Sequence, residues 1–240
     1  MRNNLLAALC LGLCFVAGTV ILGRTWRGNV EIAQTLQVTG SARMDLVSDL
    51  GHLRYSVTGR GATAEAAYLD LQRQLPVIDG FLAGADVPDS AVQENPVNTW
   101  GIEEFDQRGN RTGDVLEYRC EQGFLIELRD VHRIKALSVD LAGLVTEGVD
   151  LRAQHPQYLD TDLAAIKEEV QALAARDAMR RAHKVAEAAG ATLGPIREAR
   201  MGVLQVTPRH STTVSDYGIN DTSAIEKQIT AVVHAKFAIE

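Results

Sequence analysis

At 240 residues the chain has room for one or two domains, and its 46% hydrophobic content supports a core of Leu, Val, Ile and Ala, since aromatics make up only 5%. A net charge of −7 argues against general nucleic-acid binding, which needs a basic face, and gives no pull toward anionic lipid headgroups beyond the hydrophobic segment itself. Cys10 and Cys14 lie in the first hydrophobic run, which leaves Cys120 alone in the remainder and excludes an intramolecular disulfide framework or a cysteine-rich zinc site there.

Leu5 to Leu22 is free of charge and flanked by Arg2, Arg24 and Arg27. Its length as a helix, about 27 Å, approaches the ~30 Å of a bilayer core. Residues 1–28 therefore read as a signal peptide cut after Gly18 or as an uncleaved signal anchor, and 29–33 as a linker. The body, 34–240, opens with two alternating strands, Gln34–Gly40 and Leu53–Thr58. Ala67, Leu71, Leu75, Ile78 and Leu82 share one face of a helix from about Thr63, which Pro76 is expected to kink or break. The Gly- and Pro-rich stretch 84–113 reads as a connector or loose hairpin.

A long strand over Val115–Leu128 follows, with Cys120 as a half-buried strand residue. Asp130 caps a helix striped by Val131, Ile134, Leu137, Leu141 and Leu144, and Gly148 ends it. Residues 149–153 alternate as a strand. The longest helix spans about 162–189 and buries Leu163, Ile166, Val170, Leu173, Ala178, Ala182, Val185 and Ala189. A strand near 196–206, a polar loop and a final alternating strand from Ile229 to Ile239 complete the chain. The order, roughly β-β-α, β-α-β, α-β-β after an N-terminal hydrophobic helix, predicts an α+β fold: mainly antiparallel sheets with helices packed on one face.

The layout resembles the SIMPL-domain family, which includes bacterial periplasmic proteins labelled as oxidative-stress defence proteins. The residues that carry the likeness are Val38-Thr39-Gly40, Val57-Thr58-Gly59, Glu117-Tyr118-Arg119 leading to Leu128-Arg129-Asp130, Thr146-Glu147-Gly148-Val149, and the alanine-rich run from Ala175 to Gly194 with its Asp177-Ala178 pair. The resemblance implies an exported, periplasmic, homo-oligomeric protein with no established enzyme mechanism, in roles from envelope and stress protection to interaction with other proteins.

The six histidines are not spaced three or four apart, and no nucleophile elbow, Walker loop or dinucleotide fingerprint occurs. The expectation is thus a protein that is not an enzyme and uses no cofactor or metal, tethered through residues 5–22 if uncleaved. It is expected to self-associate and to protect or scaffold the envelope. The alternative is a periplasmic module binding a small molecule or ion through the 207–227 loop. In that loop Ser211, Thr213, Ser215, Asp216, Tyr217, Asn220, Asp221 and Ser223 offer hydroxyls, carboxylates and an amide. The bland reading of the same loop is a connector ending in a capping box from Ser223 to Glu226. Arg176, Arg180, Arg181 and Lys184 form a basic stripe on the long helix, which reads as an anion site or a salt-linked surface.

Overall fold

The structure, a computed structural model, describes Gly12 and residues 15–23 and 34–239. Half of the Leu5–Leu22 run and the whole 29–33 linker lie outside the described residues. Residues 15–23 form a helix, α1, whose Phe15, Val16, Ile21 and Leu22 side chains are exposed. Among the described residues no helix is long and apolar enough to cross a membrane.

The body forms two compact units. One comprises residues 45–164 and 205–229; the other takes the chain before Asp45, residues 165–204 and the stretch from Thr230. Strands β1 (Thr35–Val47) and β11 (Glu226–Ile239) each contribute one end to each unit.

In the 45–164 unit, β2 (Leu50–Gly61) pairs antiparallel with β5 (Arg111–Leu128) along its whole length, from Gly51 opposite Leu128 to Gly61 opposite Tyr118. Strands β3 (Val92–Glu94) and β4 (Asn98–Phe105) add to the far side of β5, and β6 (Leu151–Ala153) and β7 (Gln157–Leu159) to that of β2. The glycine-rich connector is thus a true hairpin, β4–β5, with its turn at Asp106–Gly109. Strand alternation turns Leu53, Tyr55, Val57, Cys120, Phe124 and Ile126 to one face, where they meet two helices. Cys120 is fully buried rather than half-buried, and its Sγ lies 3.1 Å from the Thr99 hydroxyl. The opposite face is polar, with His52 bonded to Glu127 at 2.8 Å and Arg60 paired with Asp150 at 2.7 Å.

Helix α2 (Ala64–Gly84) starts at Thr63, whose hydroxyl accepts from Ala66 N–H, and buries Ala67, Leu71, Gln74, Ile78 and Leu82. It runs through Pro76 without a break. Pro76 and Gln72, whose carbonyl loses its donor, are both exposed, so water can satisfy that carbonyl. Helix α3 (Val131–Asp140) is capped by Asp130, and its apolar stripe continues into a 3-10 turn over Leu141–Glu147, closed by Gly148 at φ +89°.

The other unit packs α4 (Leu163–Ala188) against β1 and β11 through a core of three alanines and one aromatic, Ala178, Ala182, Ala235 and Phe237, flanked by Leu36, Val38 and Leu193. The buried stripe is Val170, Ala174, Ala178, Ala182 and Ala186, spaced by fours. Val185 and Ala189 fall off that stripe and are exposed, against expectation. The strand expected near 196–206 is two: β8 (Leu193–Met201), antiparallel to β11 in this unit, and β9 (Gln205–Pro208), which belongs to the 45–164 unit and pairs there in parallel with the short β10 (Ile219–Asn220).

Each unit docks its helix on a strand glycine in the same way. A Cβ on Gly59 would sit 2.2 Å from Ala67 O and 2.3 Å from Leu71 N, and one on Gly40 would sit 2.3 Å from both Ala174 O and Ala178 N. In each case the next residue's N–H is taken by a helix aspartate: Arg60 N–H by Asp70 and Ser41 N–H by Asp177, both at 3.0 Å. The α2 contact is further held by Gln74, which donates to Thr58 C=O and accepts from Asp150 N–H.

Candidate functional site

The site is built around a charge that strand alternation places inside. Lys227, Ile229, Ala231, Val233, Ala235 and Phe237 form the inward-facing row of β11, and Lys227 is only 3% exposed. Its Nζ donates to the main-chain carbonyl of Tyr158 at 2.6 Å. An ammonium carries three donors, so two have no partner among the described residues. Burial lowers the pKa of Lys227, opposed by Asp160 and Asp221, which act on it through space.

Asp160 follows β7. Its Oδ2 is shut off from solvent and has no hydrogen-bond partner among the described residues. Burial pushes its carboxyl pKa up, Asp49 and Asp162 add to that, and Lys227 opposes it. The neighbouring turn is cross-linked: Asp49 accepts from both the hydroxyl and the N–H of Thr161, and those bonds hold Asp49 below the usual carboxylate range.

Lys227 and Asp160 line one cavity of about 220 Å³ with Leu50, Leu159, Leu163 and Val206 as apolar walls and Thr161, Asn220 and Thr222 as further polar groups. The end of the polar loop is fixed there by Tyr158 N–H donating to Thr222 C=O at 2.7 Å and Asp221 N–H to Val206 C=O at 2.9 Å. A few polar groups converging in a mostly apolar hollow is the usual form of a small-molecule site.

Of the loop residues singled out in the sequence, Asn220 reaches this cavity. Asp221 braces it, accepting from Ser223 and Ala224 N–H. The turn is therefore organised by Asp221, and Glu226 opens β11 rather than a helix, so no capping box forms. Ser223 instead lines a wider groove of about 540 Å³ with His132, Lys135, Arg209, His210 and Glu226. Ser211 and Ser215 make local turns to Thr213 and Tyr217 N–H; Asp216 is exposed and Tyr217 is 98% exposed. The basic stripe of α4 divides: Arg180 and Arg181 both bind Asp177, while Arg176 and Lys184 are exposed.

Lys227, Asp160 and Thr222 were not singled out from the sequence. Lys227 carried a readable signal, since it falls on the inward parity of a strand whose other members of that parity are apolar. Asp160 carried none, because its burial depends on β7, a strand of three residues.

Among the described residues no group of three His, Cys, Asp or Glu side chains gathers to hold a metal. A solved amidase of the hydantoinase/carbamoylase family from Burkholderia phymatum shows a likeness over 59% of this chain and 36% of that one, at 16% identity and a TM-score of 0.25, which carries no argument. The chain is 23% identical over 211 residues to the "Uncharacterized protein YggE" of Edwardsiella ictaluri (strain 93-146), covering 84% of this chain and 83% of that relative. Residues 36–237 match the family described as SIMPL, "Protein of unknown function (DUF541)". Nearly the whole body is covered, and the chain belongs to the SIMPL family.

Proposed function

We propose that this chain is an exported envelope protein whose body binds a small molecule without turning it over. The observation that carries the binding reading is the cavity in which a buried lysine keeps free donors and a carboxylate oxygen lacks a partner. Binding rather than catalysis is favoured because Lys227 Nζ is committed to a main-chain carbonyl and no His, Cys or Ser among the described residues lines the cavity to serve as a second catalytic group. Export rests on the Leu5–Leu22 run; recovery of the protein in the cytoplasmic fraction would sink that half.

The binding half is tested by thermal unfolding of the full chain in mild detergent against a panel of small envelope metabolites. A ligand at a hundredfold its Kd stabilises by about 2.7 kcal/mol, which for a chain of this size raises Tm by roughly 5–10 °C. The Lys227→Met variant should lose that rise. No rise across the panel, or one that survives Lys227→Met, overturns the reading.

Self-association is favoured by a separate observation. The β4–β5 hairpin exposes Trp100, Phe105, Val115 and Leu116, apolar side chains spread over the two faces of a paired ribbon. Light scattering should give a defined assembly that Leu116→Asp dissociates; a strictly monomeric protein at high concentration counts against it.

A further inference from the structure

The Lys227 cavity constrains its occupant by charge as well as by size, and an assignment of that occupant rests on the cavity being a binding site, as proposed. The cavity holds one cationic donor group and one carboxylate that act on each other through space but form no ion pair or hydrogen bond among the described residues: Lys227 is bonded to Tyr158 C=O, and Asp160 Oδ2 to nothing. A buried charged group left short of hydrogen bonds is costly, and that cost falls when a partner of opposite sign supplies them. A ligand carrying only an anion would satisfy Lys227 and leave the Asp160 oxygen bare; one carrying only a cation would do the reverse. The walls facing these groups, Leu50, Leu159, Leu163 and Val206, are aliphatic. The volume of about 220 Å³ is that of roughly seven liquid waters. It lies below the ~300–1,000 Å³ of sites for drug-sized molecules. That leaves room for one compact zwitterion with a short apolar side chain.

We propose that the cavity is a site for a free aliphatic α-amino acid, its carboxylate on Lys227, its ammonium on Asp160 and its side chain against the leucine wall. Asn220 and Thr222 stand at the same cavity to take the remaining polar atoms. Charge-assisted bonds at both ends are roughly twice as strong as neutral ones, so the site should discriminate sharply against molecules that lack either charge.

Calorimetric titration of the full chain with leucine, N-acetyl-leucine and leucinamide tests this. Leucine should bind saturably, and blocking either end should weaken binding at least tenfold. In Lys227→Met the preference for leucine over leucinamide should vanish; in Asp160→Asn the preference over N-acetyl-leucine should vanish. The unliganded melting temperature of each variant reports whether it folds, and if one does not, the three ligands on the wild-type chain decide alone. Absence of leucine binding, or loss on blocking only one end, overturns the zwitterion. If a non-zwitterionic compound then binds in a Lys227-dependent way, the cavity remains a binding site with another occupant; if nothing binds there, both readings fall.

Discussion

Replacing Gly59 by alanine should cost about 3 kcal/mol or more and lower Tm by roughly 6–12 °C. The added Cβ would stand 2.2 Å from Ala67 O and 2.3 Å from Leu71 N, atoms of the α2 backbone that no rotamer change can move aside. Relief requires the helix to lift from the sheet, and with it Leu71 and Ile78, both fully buried. Gly40→Ala should cost a similar amount in the other unit, where Ala174 O and Ala178 N are the obstacles. Gly80→Ala is the control: it lies in α2 with nothing within 4 Å of its added Cβ. It should stabilise by roughly 0.5–1 kcal/mol through helix propensity alone. Chemical unfolding of the three variants measures this; a Gly59→Ala protein as stable as wild type would refute the close docking.

Asp177→Asn should cost about 2 kcal/mol at neutral pH, the value of hydrogen bonds to a charged group. The Asp177 side chain is 8% exposed and binds Ser41 N–H, Arg180 and Arg181. Both arginines are mostly exposed, so solvent screens their share and the Ser41 bond dominates. That N–H holds the Asp177 carboxyl below its ordinary value near 3.8, burial opposes it, and the two arginines assist. A carboxyl with a depressed folded pKa contributes stability in full above its unfolded value, and the contribution is lost as pH falls through the folded value. The gap between wild type and Asp177→Asn should therefore be constant from about pH 7 to 5 and shrink below about pH 4. A gap that stays constant below pH 4 would show that the carboxylate makes no such bond in solution.

Much of this architecture is legible because periodicity and capping are local. The α2 stripe, the Asp130 cap and the Gly148 terminus each follow from residues within a turn or two, and the structure has them. What is not legible depends on distant chain. Asp177 sits among alanines and arginines like a surface residue, and becomes buried only because Ser41, 136 residues away, supplies an N–H. Val185 fits a helical period as well as Ala186 does; the strict spacing by four that seats alanines against a sheet selects Ala186. At the candidate site, the end of the polar loop could be singled out by composition, but the cavity itself needs β7, β9 and β11 together. Only Lys227 gave advance notice, as a charge out of step with an alternating strand.

The matching helix docks of the two units differ in the length of chain each must close. Arg60 and Asp70 are 10 residues apart, whereas Ser41 and Asp177 are 136 apart. Closure entropy grows as the logarithm of loop length, so from an open chain the longer loop costs roughly 2 kcal/mol more for the same pair of bonds. Chemically alike clasps therefore carry unequal closure costs: the Gly59 clasp closes on neighbouring chain, while the Gly40 clasp closes across 136 residues and is expected to form later in folding.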